Sequence, residues 1–218
     1  MNKSVVNQYL GTLPLVAILR GITPEEAPEI GEALYEAGIR VMEVTMNSPV
    51  DPLRSIELLA TRFEGKAAVG AGTVLSTEEV DRARERGAGL IVSPNTNEAV
   101  IGRTAEVGLF SLPGVGTCSE GFRALAAGAD ALKLFPASIM GPGGLKDLKA
   151  VFPKEVDVLA VGGVDAGNLG AWLEAGARGA GLGSCLYRAG DRPEDCLRKA
   201  RVIVEAFQAA GLDSGRGK

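Results

Sequence analysis

The chain has 218 residues, of which 46% are hydrophobic and 30 are glycine, and these values predict one α/β domain with a substantial core. Its formal net charge of −4 and its lack of a basic stripe argue against a nucleic-acid partner. Because the chain contains no histidine, zinc hydrolases, metal enzymes with imidazole ligands and Ser-His-Asp enzymes all lose their central residue.

Short apolar runs alternate with longer helical patterns along the chain. The first pattern, at about residues 3–10 within an N-terminal segment 1–12, predicts a helix. The predicted strands follow at 15–19, 41–46, 67–71, 90–93, 109–113, 131–134, 158–161 and 180–182. The predicted helices lie at 24–37, 51–63, 76–86, 97–107, 119–127, 143–151, 166–175 and 193–210, with a frayed tail at 212–218.

This order of elements predicts the fold. Apolar strands flanked by helices imply a parallel sheet that is covered on its outside. Eight such units are the number that closes a barrel. We therefore predict a single (β/α)8 TIM barrel domain over residues 1–218, with the extra N-terminal helix covering the barrel floor.

The sequence also predicts the compartment. Residues 1–10 lack a basic region followed by a sustained apolar stretch, and no apolar run elsewhere is long enough to span a bilayer. Cys118, Cys185 and Cys196 are odd in number and have no Cys-x-x-Cys spacing, which is typical of reduced thiols in a core. We expect a cytoplasmic protein with no membrane partner.

Composition limits the use of cofactors. The lack of histidine disfavours metal chemistry, and we predict no metal site. We also expect no other cofactor. An oxygen-only magnesium site stays open, because the chain has 27 Asp and Glu, but no acidic cluster stands out at the predicted strand ends.

Lys133 lies within an otherwise apolar segment, Asp-Ala-Leu-Lys-Leu-Phe-Pro at 130–136, that reads as a buried strand. A lysine ammonium is almost never fully buried without a partner. Burial lowers the pKa of lysine toward the free amine, which is the form that attacks carbonyl groups. We therefore predict a Schiff-base lysine.

Catalytic groups of a barrel lie at the carboxyl ends of its strands. Arg20 ends the first predicted strand, Glu43 lies within the second, Thr73 ends the third and Pro94 the fourth. Taken singly, Arg20 could cap a helix, and Glu43 with Lys133 could form a buried ion pair. Because all three charges fall at one end of the barrel, we expect them to converge on a small ligand.

Two glycine pairs follow the last two predicted strands, where phosphate sites of this fold are built. Gly162 and Gly163 lie in Val-Gly-Gly-Val at 161–164, after the seventh strand, and Gly181 and Gly183 lie in Gly-Leu-Gly-Ser at 181–184, after the eighth. Glycines let backbone N–H groups approach an anion closely. We predict a phosphorylated substrate, whereas the similar Gly-Ala-Gly-Thr at 70–73 is interpreted as a turn.

Eight motifs follow one another over nearly the whole chain. They are Leu-Val-Ala-Ile-Leu-Arg-Gly at 15–21, Glu-Val-Thr-Met-Asn-Ser-Pro at 43–49, Val-Gly-Ala-Gly-Thr-Val-Leu at 69–75, Ile-Val-Ser-Pro at 91–94, Leu-Pro-Gly-Val at 112–115, Leu-Lys-Leu-Phe-Pro at 132–136, Val-Gly-Gly at 161–163 and Gly-Ser at 183–184. Together they resemble the 2-keto-3-deoxy-6-phosphogluconate and phosphogalactonate aldolases. The resemblance implies a class I, metal-free enzyme that reversibly cleaves a six-carbon 2-keto-3-deoxy sugar acid phosphate into pyruvate and glyceraldehyde 3-phosphate, usually as a homotrimer.

The same resemblance implies roles for individual residues. Lys133 would form the imine, and Glu43 would shuttle protons. Thr73 would contact the pyruvate end, and Arg20 would bind substrate together with the phosphate-binding residues Gly162, Gly163, Gly183 and Ser184. The other expected substrate contacts are Asn47, Pro94, Phe135 and Val161.

Two positions separate the branches of this family. Gluconate-type enzymes typically carry arginine where this chain has Asn47 and threonine where it has Val161, so this chain resembles the galactonate branch. Without an arginine at 47, the substrate carboxylate is left to backbone amides, Thr73 or Arg20. An apolar Val161 beside C4 leaves gluconate-type or dual specificity open. A phosphosugar isomerase or epimerase and a non-catalytic phosphosugar-binding barrel are the less favoured alternatives.

Overall fold

Nine parallel strands alternate with helices over residues 3–214, which are the residues that this computed structural model describes. The strands are β1 (Leu15–Leu19), β2 (Val41–Thr45), β3 (Ala68–Gly72), β4 (Leu90–Val92), β5 (Phe110–Leu112), β6 (Gly114–Val115), β7 (Leu132–Leu134), β8 (Val158–Val161) and β9 (Gly179–Leu182). The helices are α1 (Lys3–Thr12), α2 (Ala27–Glu36), α3 (Pro52–Arg62), α4 (Thr77–Glu85), α5 (Glu98–Glu106), α6 (Cys118–Ala126), α7 (Ala137–Val151), α8 (Leu169–Glu174) and α9 (Pro193–Ser214).

The strands form a nearly closed barrel, in the order β5-β4-β3-β2-β1-β9-β8-β7-β6. β5 pairs with β4, and β6 pairs with β7, so β5 and β6 are the two edge strands at which the barrel closes. Only Pro113, which has no N–H to donate, separates these two strands. They are therefore two pieces of the fifth barrel strand, and the predicted (β/α)8 barrel is confirmed.

Alternation along each strand decides which side chains face the barrel interior. Val16, Val41 and Leu159 belong to an inner cluster, whereas their neighbours Ala17, Met42 and Ala160 pack outward in the cluster that the helices cover. The N-terminal helix α1 contributes Val6 and Leu10 to the inner cluster, as expected for a helix that covers the barrel floor. Lys3 Nζ fixes this helix to Asp130 Oδ1 at 3.0 Å.

The predicted helices are present, and four of their ends shift by three residues or more, one of them the start of α2, which lies at Ala27 and not at 24. α7 begins at Ala137 and not at 143, because a first turn precedes a kink at Gly141 and Pro142. α8 begins at Leu169 and not at 166, because the Asp165 carboxylate accepts the N–H of Gly167 and of Asn168 and holds a turn there.

The C-terminal helix also differs from the sequence prediction. α9 continues to Ser214, so residues 212–214 of the predicted frayed tail are helical. Residues 215–218, like Met1 and Asn2, lie outside the described residues. Within the described part of the chain, no helix is both long enough and apolar enough to cross a bilayer.

Candidate active site

Lys133 and Glu43 both point into the barrel. Each is flanked by residues of the outward cluster, Leu132 and Leu134 in β7, and Met42 and Val44 in β2, so alternation turns the two charged side chains inward. Glu43 is 1% exposed and Lys133 is 5% exposed, which makes them unusual among charged residues. A buried charge of this kind requires a partner or a function.

Burial shifts the pKa of both groups toward their neutral forms. It lowers the pKa of the Lys133 ammonium against the attraction of Glu43, and the positive charge of Arg20 adds to the lowering. Burial likewise raises the pKa of Glu43, against the opposing effects of Lys133 and Arg20. The shift of the Lys133 pKa is toward the free amine, which is the form that attacks a carbonyl.

The two groups do not form the buried ion pair that was the alternative interpretation. No salt bridge within 4.0 Å joins Lys133 to a carboxylate of the described residues, and Nζ lies 4.8 Å from the centre of the Phe135 ring. Glu43 Oε2 is buried and has no hydrogen-bond partner among the described residues. An unpaired carboxylate oxygen is costly unless a ligand, a water or a proton uses it.

A cavity of about 380 Å³ opens beside these groups, at the carboxyl ends of the strands. Most of the predicted site residues line it: Arg20, Glu43, Lys133, Phe135, Val161, Gly162, Gly163, Gly183 and Ser184. Its volume is within the range of small-molecule sites. The residues that the sequence places far apart are therefore brought together here.

Three predicted substrate contacts do not line this cavity. Asn47 lies behind Arg20, and its Oδ1 accepts a hydrogen bond from Arg20 Nη1 at 2.9 Å. Thr73 follows β3 in a left-handed conformation, with φ of 57°, which turns the chain at that point. Pro94 lies close to Gly114, where a Cβ atom would come within 2.4 Å of the Pro94 carbonyl carbon.

Two glycines inside the strands make room for the site. A Cβ atom at Gly72 would lie 2.6 Å from Cδ of Glu43, and one at Gly181 would lie 2.8 Å from Cγ2 of Val161. The interpretation of Gly-Ala-Gly-Thr at 70–73 as a turn is wrong for its first three residues, which belong to β3. The sequence did offer a signal here, because residues that alternate within an apolar strand place every second glycine toward the interior.

The two glycine pairs form another part of the cavity wall. Gly162 and Gly163 have φ values of 101° and 76°, a conformation that residues with a Cβ atom rarely adopt. The carbonyl of Gly162 accepts the N–H of Ser138, and the carbonyl of Gly163 accepts Asn168 Nδ2. Successive glycines with positive φ are the kind of backbone that can present N–H groups to an anion.

Sequence reasoning missed several residues that line the cavity, namely Ile18, Val164, Asp165, Cys185 and Arg188. Arg188 is the most informative of them, because it adds a second guanidinium to the walls. Its position four residues after Ser184 in the loop that follows β9, where this fold binds phosphate, was the available signal.

The structure offers no candidate metal site among the residues that it describes. No group of three His, Cys, Asp or Glu side chains in the described ranges is arranged to hold an ion.

Comparison with protein families gives one match that spans most of the chain. A family model described as KDPG and KHG aldolase matches residues 6–199. A 2-dehydro-3-deoxy-6-phosphogalactonate aldolase of Escherichia coli K12 is 47% identical over 203 residues, which are 93% of this chain and 98% of that protein. A probable 2-dehydro-3-deoxy-6-phosphogalactonate aldolase of Rhizobium meliloti 1021 is 44% identical, over 90% of this chain and 92% of its own.

A less similar relative and two solved structures also match most of this chain. A 2-dehydro-3-deoxy-phosphogluconate aldolase of Treponema pallidum is 32% identical over 74% of both chains. A solved structure described as native KDPGal superposes with a TM-score of 0.90 at 47% identity, over 92% of this chain and 97% of its own. A protein cage designed by fusing symmetric oligomeric domains superposes with a TM-score of 0.92 at 46% identity, over 94% of this chain and 75% of its own.

Proposed function

The chain belongs to the KDPG and KHG aldolase family, and from that premise we propose that it reversibly cleaves 2-dehydro-3-deoxy-6-phosphogalactonate into pyruvate and D-glyceraldehyde 3-phosphate. It is a lyase of the class I type. The observation that carries the mechanism is a buried lysine, Lys133, that lines the cavity with a lowered pKa and no ion pair within the described residues. These are the properties of an amine that forms an imine.

In the first half of the reaction, the Lys133 amine attacks C2 of the keto acid. The carbinolamine loses water with help from Glu43, which gives a protonated imine between Nζ and C2. Glu43 then takes the proton of the C4 hydroxyl, through a water molecule. The C3–C4 bond breaks, its electron pair moves into the imine, and the aldehyde leaves as an enamine remains on Lys133.

The second half returns the enzyme to its starting state. Glu43 gives a proton to C3 of the enamine, which restores the imine, and hydrolysis then releases pyruvate. One carboxylate can serve both steps because burial raises its pKa from the ordinary value of a glutamate, so that it both accepts and gives protons readily. Its unpaired Oε2 faces the same interior as Lys133.

The two ends of the substrate are assigned by charge. Arg20 would hold the carboxylate, and Asn47 would act through it as a positioning residue by way of the 2.9 Å hydrogen bond. The backbone of Gly162, Gly163, Gly183 and Ser184 would hold the phosphate. Contacts from Thr73 and Pro94 to the substrate stay predictions.

The preference between C4 epimers is supported by Val161 and by the relatives. Val161 lines the cavity with an apolar side chain, and the galactonate-type relatives are 47% and 44% identical, against 32% for a gluconate-type relative. A hydrophobic wall discriminates less sharply than a set of hydrogen bonds. A dual-specificity enzyme is therefore the second candidate.

Paired assays of pyruvate release from the two C4 epimers, in EDTA, test this proposal. We expect metal-independent cleavage, with kcat/KM for the galactonate epimer higher by no more than about 100-fold, because an apolar contact supplies only modest discrimination. A preference for the gluconate epimer would select the alternative. Isomerisation without pyruvate release, or binding without turnover, would refute an aldolase.

We also propose a homotrimer. The designed cage that resembles this chain is built from symmetric oligomeric domains. Large apolar side chains are exposed on this chain, among them Ile139 at 83%, Leu75 at 52% and Phe122 at 46%. Light scattering should give three times the chain mass, and a monomeric mass at assay concentrations would contradict the trimer.

A cytoplasmic location is proposed from cysteine chemistry. Cys118, Cys185 and Cys196 are all free thiols. Unpaired cysteines are typical of reducing compartments.

A further inference from the structure

Two positive side chains, Arg20 and Arg188, line the cavity of the candidate site. The charge of Arg20 acts on both Lys133 and Glu43. The charge of Arg188 acts on two other groups, Cys185 and Asp191. A substrate with a carboxylate at one end and a phosphate at the other is complementary to this arrangement.

Arg188 is held by a built segment, residues 187–191, that we name the arginine segment. Arg188 Nε donates to the carbonyl of Ser184 at 3.1 Å, next to the predicted phosphate ligands. Its backbone N–H donates to Asp191 Oδ2 at 2.9 Å, and Lys199 Nζ donates to the same carboxylate at 2.6 Å. Through Asp191, these two hydrogen bonds hold the arginine segment against α9, which carries Lys199.

A second set of contacts fixes the arginine segment to the loop after β1. Glu26 Oε1 accepts the N–H of Gly190 at 3.1 Å, and Glu26 Oε2 accepts the hydroxyl of Tyr187 at 3.3 Å. A Cβ atom at Gly21 would lie 3.3 Å from that of Ala189, so the two loops are in close contact. The arginine segment is thus fixed at both of its ends.

The end of the Arg188 side chain remains available to a ligand. Within the described residues its two Nη atoms have neither a hydrogen-bond partner nor a carboxylate within 4.0 Å. The nearby Asp165 uses its Oδ1 to accept the N–H groups of Gly167 and Asn168. A guanidinium with two free nitrogens matches the geometry of a phosphate group.

We propose that Arg188 binds the terminal phosphate of the substrate, completing the backbone site of Gly162, Gly163, Gly183 and Ser184 with a fixed positive charge. This inference rests on the proposed aldolase function. Backbone N–H groups bind an anion without neutralising it, so Arg188 sets the preference for a phosphorylated aldehyde over its unphosphorylated form.

The test uses the reaction in the direction of condensation, with pyruvate and either D-glyceraldehyde 3-phosphate or D-glyceraldehyde. We expect Arg188→Gln to lower kcat/KM for the phosphorylated aldehyde by about 10- to 100-fold, as for loss of charge-assisted hydrogen bonds. The loss for the unphosphorylated aldehyde should be smaller by about 10-fold or more. Arg188→Lys keeps the charge but not the planar guanidinium, so its kcat/KM for the phosphorylated aldehyde should lie between those of the wild type and Arg188→Gln.

Arg192→Gln is the matched control, because Arg192 is exposed on the same stretch of chain, pairs with Asp195 and does not line the cavity. This control should leave both rates unchanged. Equal losses on the two aldehydes, or no loss with Arg188→Gln, would overturn the proposal for Arg188. Borohydride trapping of pyruvate on the wild-type protein separates the two questions, because its failure would refute the aldolase function itself.

Discussion

Replacing Lys133 by alanine is expected to abolish turnover. The amine supplies the covalent electron sink for the C3–C4 bond, and its loss should exceed the about 10²- to 10⁴-fold contribution of a positioned proton-transfer group. Two measurements check this: the rate of pyruvate release, and reduction of the pyruvate adduct by borohydride followed by peptide mapping. In the wild-type protein the adduct should map to the peptide that contains Lys133.

Two further variants guard against a trivial explanation of that result. Lys133 is 5% exposed, so alanine leaves a void in the core, whereas Lys133→Met fills most of that volume without an amine. Lys133→Ala and Lys133→Met should both lack the adduct, and Lys133→Met should keep the fold by circular dichroism. Lys146, which is exposed on α7, serves as the control, and Lys146→Ala should retain full trapping. An adduct on any other lysine would refute the assignment.

The sequence predicted the centre of the site because its signals were local. An apolar strand with one lysine, together with the alternation of strand residues, predicts that Lys133 faces a barrel interior. The same alternation applies to Glu43 in β2. Strand count, strand direction and barrel closure followed from the regular spacing of these patterns.

Other features depended on contacts between distant segments. The arginine segment takes its path from Glu26, which is 164 residues from Gly190. The position of Arg188 after β9 was a signal of the loop it belongs to, but not of the distant contact that holds this loop. Thr73 follows the third strand as predicted, but its left-handed φ of 57° could not be read from the sequence. Asn47 was expected to contact substrate, and its hydrogen bond to Arg20 could not be read from two separate strand ends.

The role of Gly72 also depends on a contact with another strand, so the sequence could not predict it. The sequence suggested a turn, whereas the structure uses the missing side chain to accommodate the Glu43 carboxylate, whose Cδ would lie 2.6 Å from a Cβ atom there. The requirement comes from a neighbouring strand, because Glu43 is aligned with Gly70 and its side chain extends toward the next inward position. A glycine of this kind is explained only once the paired strands are known.

Replacing Glu43 by glutamine is expected to lower kcat by about 10²- to 10⁴-fold while Lys133 still traps pyruvate. The amide has nearly the same shape as the carboxylate but cannot accept the C4 hydroxyl proton or return one to C3. Exchange of the pyruvate methyl protons in D2O isolates the second of these steps, and it should slow by a similar factor. If Glu43→Gln lost trapping as completely as Lys133→Ala, the separate roles of the two residues would be contradicted. Mild and equal losses of turnover in Glu43→Gln and Lys133→Ala would contradict them as well.

Gly72→Ala tests whether the position of the Glu43 carboxylate matters as much as its chemistry. The new methyl group must displace a side chain that is 1% exposed and has little space in which to move. We expect a loss of methyl-proton exchange that approaches that of Glu43→Gln, although no titratable group is removed. Gly102→Ala in α5, where a Cβ atom meets nothing within 4 Å, should change neither rate. If Gly72→Ala exchanged pyruvate protons at the wild-type rate, the carboxylate would not need its observed position, and proton transfer would have to be assigned to another group.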